Sequence, residues 1–117
     1  MKNEAIQYLE FHRAFTIEID ANNLVDTAIK ALNFIRESIK DLSVPEVLFN
    51  TNEIEYLQVD ISWDRNEHHL DIEILDGRSN AFVYYINSVT REQLNKWYRL
   101  DEPLPNWLIN KLSLFTE

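Results

Sequence analysis

The sequence predicts an α+β fold: N-terminal helices, a four-stranded antiparallel β-meander and two C-terminal helices, in one domain spanning residues 1–117. Three observations carry that expectation. Leu57-Gln58-Val59-Asp60-Ile61-Ser62-Trp63 alternates apolar and polar side chains without a break, the period of a strand with one dry face. Leu70-Asp71-Ile72-Glu73-Ile74 repeats the alternation after a short polar link, so the two runs are hairpin neighbours. Leu24, Val25, Ala28, Ile29, Leu32, Ile35 and Ile39 recur at helical spacing and form one broad apolar stripe.

The remaining elements follow in chain order. From Asn3, an N-cap residue, Ala5, Tyr8, Leu9 and His12 keep helical spacing and predict a helix to about Arg13. Phe15 to Asp20 alternates like a strand, yet Ile19 also extends the helical stripe, which leaves an extended segment and a continuous helix both open. Asn22 or Asn23 caps the apolar helix, and Val44 before Pro45 is pushed out of the helical region and ends it. Val47 to Asn50 supplies a short first strand, with Thr51-Asn52-Glu53 as its turn.

A two-residue turn at Arg65-Asn66 would place Trp63 opposite His68, Ile61 opposite Leu70 and Val59 opposite Ile72. On the other face it would set Asp60 against Asp71 and Gln58 against Glu73. Gly77, the single glycine, follows Asp76 and is expected at positive φ in a tight turn. The next strand, Ala81 to Ile86, is apolar on both faces. A three-residue bulged loop would turn Phe82, Tyr84 and Ile86 inward, and a two- or four-residue loop would turn Ala81, Val83 and Tyr85 inward; the greater bulk of the first set favours it.

After the sheet, Thr90 and Gln93 form a capping-box pair and Val89 and Leu94 occupy the staple positions. They predict a short helix burying Leu94, Trp97 and Tyr98. Pro105, pre-set for a first helical turn, opens a last helix with Leu108, Leu112 and Phe115 on its dry side and Trp107 at the border.

The order of a helix, Pro45-x-Val47, a strand ending in Trp63, a polar turn, Leu70-x-Ile72-Glu73-Ile74-x-Asp76-Gly77 and an aromatic strand resembles small bacterial and phage α+β proteins of unassigned function. It covers roughly residues 31–86 and departs from them at Asn52-Glu53, where they tend to carry a glycine turn. The resemblance implies a fold and a bacterial or phage setting, and no activity.

Eleven Lys and Arg against twenty Asp and Glu give a net charge of −9. Duplex nucleic acid would be repelled by such a surface, whereas a basic protein would be attracted. The absence of cysteine removes disulfides and thiolate metal sites. No signal-peptide pattern or membrane-length apolar run is present, so a cytoplasmic protein is expected, and no cofactor motif is found.

The chemistry-bearing residues are few. His68 and His69 are adjacent, and on a strand they point to opposite faces, which argues against one shared metal ion. Asp60, Asp71 and Glu73 share a face on which a carboxylate pair could act only inside a cleft. One of Tyr84 and Tyr85 must join them, and tyrosine among carboxylates suits a protein-binding surface. Asp60, Asp71, Glu73, Tyr84 and Tyr85 are therefore the expected partner-binding residues. The expected function is a non-catalytic acidic interaction protein of the immunity, antitoxin or phage-inhibitor kind. It would bind a basic surface of a partner such as a nucleic-acid-binding enzyme. A small carboxylate-based enzyme or metal-binding protein and a homodimer subunit are the alternatives.

Overall fold

In the computed structural model, which describes residues 6–7, 22–51, 57–75 and 79–116, the apolar stripe folds as helix α1 (Asn22–Ser38). Leu24, Val25, Ala28, Leu32 and Ile35 are buried on one side of it, while Lys30, Asn33 and Glu37 face outward. The helix stops before the Pro45 signal is reached. Ser38 turns its hydroxyl back onto the Phe34 carbonyl at 2.8 Å, and Asp41 takes φ 60°, a left-handed geometry that no helix continues through. Of the expected first helix and the Phe15–Asp20 segment, only Ile6 and Gln7 lie within the described residues; both are helical, and Ile6 is in the core.

Five antiparallel strands follow in sequential order: β1 (Glu46–Thr51), β2 (Leu57–Arg65), β3 (His68–Leu75), β4 (Asn80–Asn87) and β5 (Gln93–Arg99). Helix α2 (Asn106–Leu112) and a 3₁₀ turn (Ser113–Phe115) close the described chain. The expectation of four strands and two C-terminal helices is thereby corrected: residues 93–99 are a strand, and one short helix follows the sheet. Leu94, Trp97 and Tyr98 imitate a helical face by their spacing, but the strand alternation beneath is real. Leu94, Lys96 and Tyr98 point to one face, and the lysine in that set breaks the apolar signal. Thr90 caps nothing helical; its hydroxyl accepts from Glu92 N–H at 3.3 Å inside the turn, and Asn87 Oδ1 accepts from Val89 and Thr90. A β4 that is apolar on both sides gains a full ladder of hydrogen bonds from this neighbour.

Two further expectations are corrected by register. The β2–β3 turn is Asn66-Glu67, with Arg65 opposite His68, Trp63 opposite Leu70 and Ile61 opposite Ile72. Asn66 takes φ 55°, a conformation that Asn tolerates far better than Arg, so the turn settles one residue beyond Arg65-Asn66. The pairing slips by two positions, every side chain keeps its face, and Asp60 now faces Glu73 while Asp71 faces Ser62. On β4, Ala81, Val83 and Tyr85 are the buried set, not Phe82, Tyr84 and Ile86. Four residues separate Leu75 from Asn80, an even-numbered loop that fixes this parity; the Gly77 turn itself lies outside the described residues.

The core sits between one sheet face and the helices. Val47, Val59, Ile61, Trp63, Leu70, Ile72, Ile74, Ala81, Val83, Tyr85 and Tyr98 form the inner face, packed with α1 and with Leu108, Leu112 and Phe115. Each fully buried aliphatic here is worth about 1.5–3 kcal/mol of transfer free energy. The polar atoms along its lower end are matched. Trp63 Nε1–H donates to the Ser43 carbonyl at 2.8 Å, and His68 Nδ1 and the Tyr85 hydroxyl share a hydrogen bond of 2.7 Å. Leu42 bridges Thr116, and Ser43 N–H donates to the Phe115 carbonyl. No helix among the described residues is long and apolar enough to cross a membrane.

Candidate functional site

Antiparallel pairing lines up the outward residues of all five strands into rows across the face turned away from α1 and α2. One row runs Leu48, Asp60, Glu73, Phe82, Trp97, each directly opposite the next. The row beside it runs Glu46, Ser62, Asp71, Tyr84, Asn95. The face thus has an acidic centre on β2 and β3 and an aromatic flank on β4 and β5. At its borders Leu48 and Trp97 are half exposed, and Phe82 packs on Trp97 with ring centroids 5.1 Å apart.

The carboxylates sit unfavourably. Burial raises the pKa of Asp71 first, and the charges of Asp60 and Asp64 push it further, with His69 partly countering them. Glu73 is raised by burial, then by Asp60 and Asp71. Asp71 Oδ1 is buried with no hydrogen-bond partner among the described residues, and such an atom carries a desolvation cost that folding does not recover. Asp60 is better served, since Gln58 Nε2 donates to its Oδ1 at 2.6 Å.

Of the expected binding residues, the structure brings Asp60, Asp71, Glu73 and Tyr84 onto this one face. Tyr85 is not among them. It is almost fully buried on the inner face, where its hydroxyl meets His68 and its ring lies 4.4 Å beneath the Lys111 ammonium. Sequence reasoning missed Phe82, Trp97 and Leu48. The bulk of Phe82, Tyr84 and Ile86 favours an inward Phe82, helical spacing places Trp97 on a helix, and Leu48 is an apolar residue on an edge strand, which only the register exposes.

The histidines separate as strand alternation requires. His68 seals the inner face against Tyr85 and the edge of Phe115, while His69 lies on the outer face with Nδ1 at 2.6 Å from Asp64 Oδ1. No group of three metal-ligating side chains is assembled among the described residues. Two clefts near β5 are not lined by Asp60, Asp71 or Glu73. One of about 430 Å³ opens between Ala31 and Phe34 of α1 and Leu100 and Leu104, with Tyr98 as a wall. A second, of about 370 Å³, runs beside β5 between Trp97, Pro103, Pro105 and Trp107. Compared with known protein families, with curated proteins and with solved structures, the chain finds no match.

Proposed function

We propose that the protein is a non-catalytic interaction module that places the acidic and aromatic outer face of its sheet against a basic surface of a partner protein. The observation that carries this reading is the juxtaposed row Asp60, Glu73, Phe82, Trp97, with Asp71 and Tyr84 alongside. Like charges directly opposite across strands weaken a sheet, and local conflicts of that kind are expected where function, not folding, sets the sequence. A lysine or arginine arriving over Asp60, Asp71 and Glu73 would offset their mutual repulsion and compensate the cost of their burial by charge pairing. The aromatic flank supplies the rigid contact area that interface centres favour, and the charge of −9 supplies long-range attraction. A bacterial or phage inhibitor of a nucleic-acid-binding enzyme fits this chemistry, because the enzyme's basic groove is the surface such a face would occupy.

The test is an NMR titration of the full chain with an extended peptide of alternating Arg and Ala, at low and at moderate salt. Shifts concentrated on the amides of residues 60, 71, 73, 82 and 84, fading with salt, support the reading. Shifts spread evenly over the acidic surface, or an Asp60→Asn, Asp71→Asn double variant that binds as tightly as the parent, overturn it.

A further inference from the structure

Among the described residues β5 ends the sheet, and its hydrogen bonds show which of its backbone groups no described strand uses. Asn87 N–H donates to the Glu92 carbonyl and Leu100 N–H to the Ser79 carbonyl, so the even-numbered residues of this segment turn their backbone groups toward β4. In an antiparallel pair the alternate residues face the other way. Gln93, Asn95 and Trp97 therefore direct N–H and C=O groups outward along the edge, and all three residues are exposed.

Edges of this kind are usually blunted by a proline, a bulge or a charged side chain in mid-strand. β5 has neither proline nor bulge in its ladder to β4. Its one mid-strand charge, Lys96, is drawn aside, with its ammonium 5.3 Å from the centre of the Trp107 ring. The cleft between Trp97, Pro103, Pro105 and Trp107 borders the Arg99 end of the same strand.

We propose that β5 pairs antiparallel with β5 of a second copy of the chain, joining two sheets into one continuous ten-stranded sheet about a two-fold axis. The charges choose both the occupant and the register. Centring the pair on Lys96 would oppose two ammonium groups. Centring it on Asn95 matches outward residues with outward residues, setting Gln93 of one copy against Trp97 of the other and Leu94 against the Lys96 stem. That register also sets the exposed Arg91 of each copy, held out on a turn at φ 67°, opposite Arg99 at the end of the other copy's β5, a pair of cations with carboxylates beside it. There Arg99 is already matched by Asp101, through two hydrogen bonds of 3.0 Å, and by Glu102 at 3.7 Å. One cation against two carboxylates leaves the cluster one negative charge in excess, and the arriving guanidinium completes it twice by symmetry. This proposal is independent of the acidic face, since it uses the edge of the sheet and not its carboxylates.

Sedimentation velocity on the full chain over rising concentration should show a reversible monomer–dimer equilibrium. In the same series, hydrogen exchange at the amides of Asn95 and Trp97 should slow by tenfold or more, while amides of the β4–β5 turn do not change. A chain that stays monomeric up to about 1 mM, or edge amides that exchange at one rate throughout, overturns the proposal. Asn95→Pro removes an N–H that β4 does not use, at an edge position where proline is tolerated. It should raise the dimer dissociation constant at least tenfold with the circular dichroism spectrum unchanged. A folded variant that dimerises like the parent places the seam elsewhere and overturns it too.

Discussion

The two faces of the sheet are built from the same five strands and obey different rules. Inward, nearly every position is aliphatic or aromatic and sealed; the Trp63 indole N–H and the Tyr85 hydroxyl have partners, while the Tyr98 hydroxyl is buried without one among the described residues. Outward, Asp60 faces Glu73, Asp71 keeps an oxygen unmatched among the described residues, and Trp97 stays half exposed beside Phe82. The inner face is what burial alone would select. The outer face holds residues that burial alone would have replaced, and it is the surface proposed above to meet a partner.

The contrast breaks most visibly at its two tryptophans. Trp63→Ala should cost ~3–5 kcal/mol in urea unfolding, as for a large aromatic deleted from a core. Trp97→Ala should cost less than about 1 kcal/mol. Equal losses would mean that the outer face is as tightly packed as the inner one. The register that keeps the faces apart depends on the Asn66 turn, so Asn66→Val, which resists positive φ, should destabilise by ~1–2 kcal/mol. Asn66→Gly should stay within about 0.5 kcal/mol of the parent. If Val is as well tolerated as Gly, the turn does not hold the register.

Smaller effects sharpen the electrostatic half of the comparison. Asp60→Asn with Asp71→Asn should leave the melting temperature unchanged or slightly raised, and a marked fall would make these carboxylates structural. Acidity provides an independent reading. Asp71 and Glu73 have folded-state pKa values raised above the unfolded ones, so the folded protein holds their protons more readily. The resulting stability is complete below the unfolded pKa and is lost as pH rises through the folded pKa. Lowering the pH from neutral into the carboxylate range should therefore stabilise this site. Asp101, held low by its hydrogen bond to Arg99, works in the opposite direction, its contribution being lost as pH falls toward its depressed folded pKa. Thermal melts of the parent and of an Asp71→Asn, Glu73→Gln variant should converge as the pH falls; a gap that does not change with pH would remove the carboxylates as its cause.

Where one physical signal dominated, the sequence could be read directly. The stripe of α1 and the alternation of β2 and β3 each bury a dry face, and the structure buries Leu24, Ile35, Ile61 and Ile72 accordingly. Where two signals competed, the reading failed. β4 is apolar on both sides, so only the loop length decides that Tyr85 goes in and Tyr84 stays out. Leu94, Trp97 and Tyr98 satisfy helical spacing as well as strand alternation, and the choice falls to the unfilled edge of β4, a tertiary fact no local pattern contains. The acidic half of the outer face was legible because face parity survives a two-residue slip. Its aromatic half was not, because Phe82 and Trp97 sit on the two strands that were misread.

The bridge between Leu42 and Thr116 has a kinetic consequence. Each strand of the sheet pairs with its neighbour in sequence, so every hairpin closes only a short loop and forfeits little chain entropy. The bridge, together with the Arg65 guanidinium on the Thr116 carbonyl, instead joins segments from opposite sides of the whole meander. Such a closure gains only after the sheet exists to hold its ends together. It is the last contact expected to form and the first expected to open, so hydrogen exchange at the Ser43 amide, which donates to the Phe115 carbonyl, should be faster than at the β2–β3 ladder.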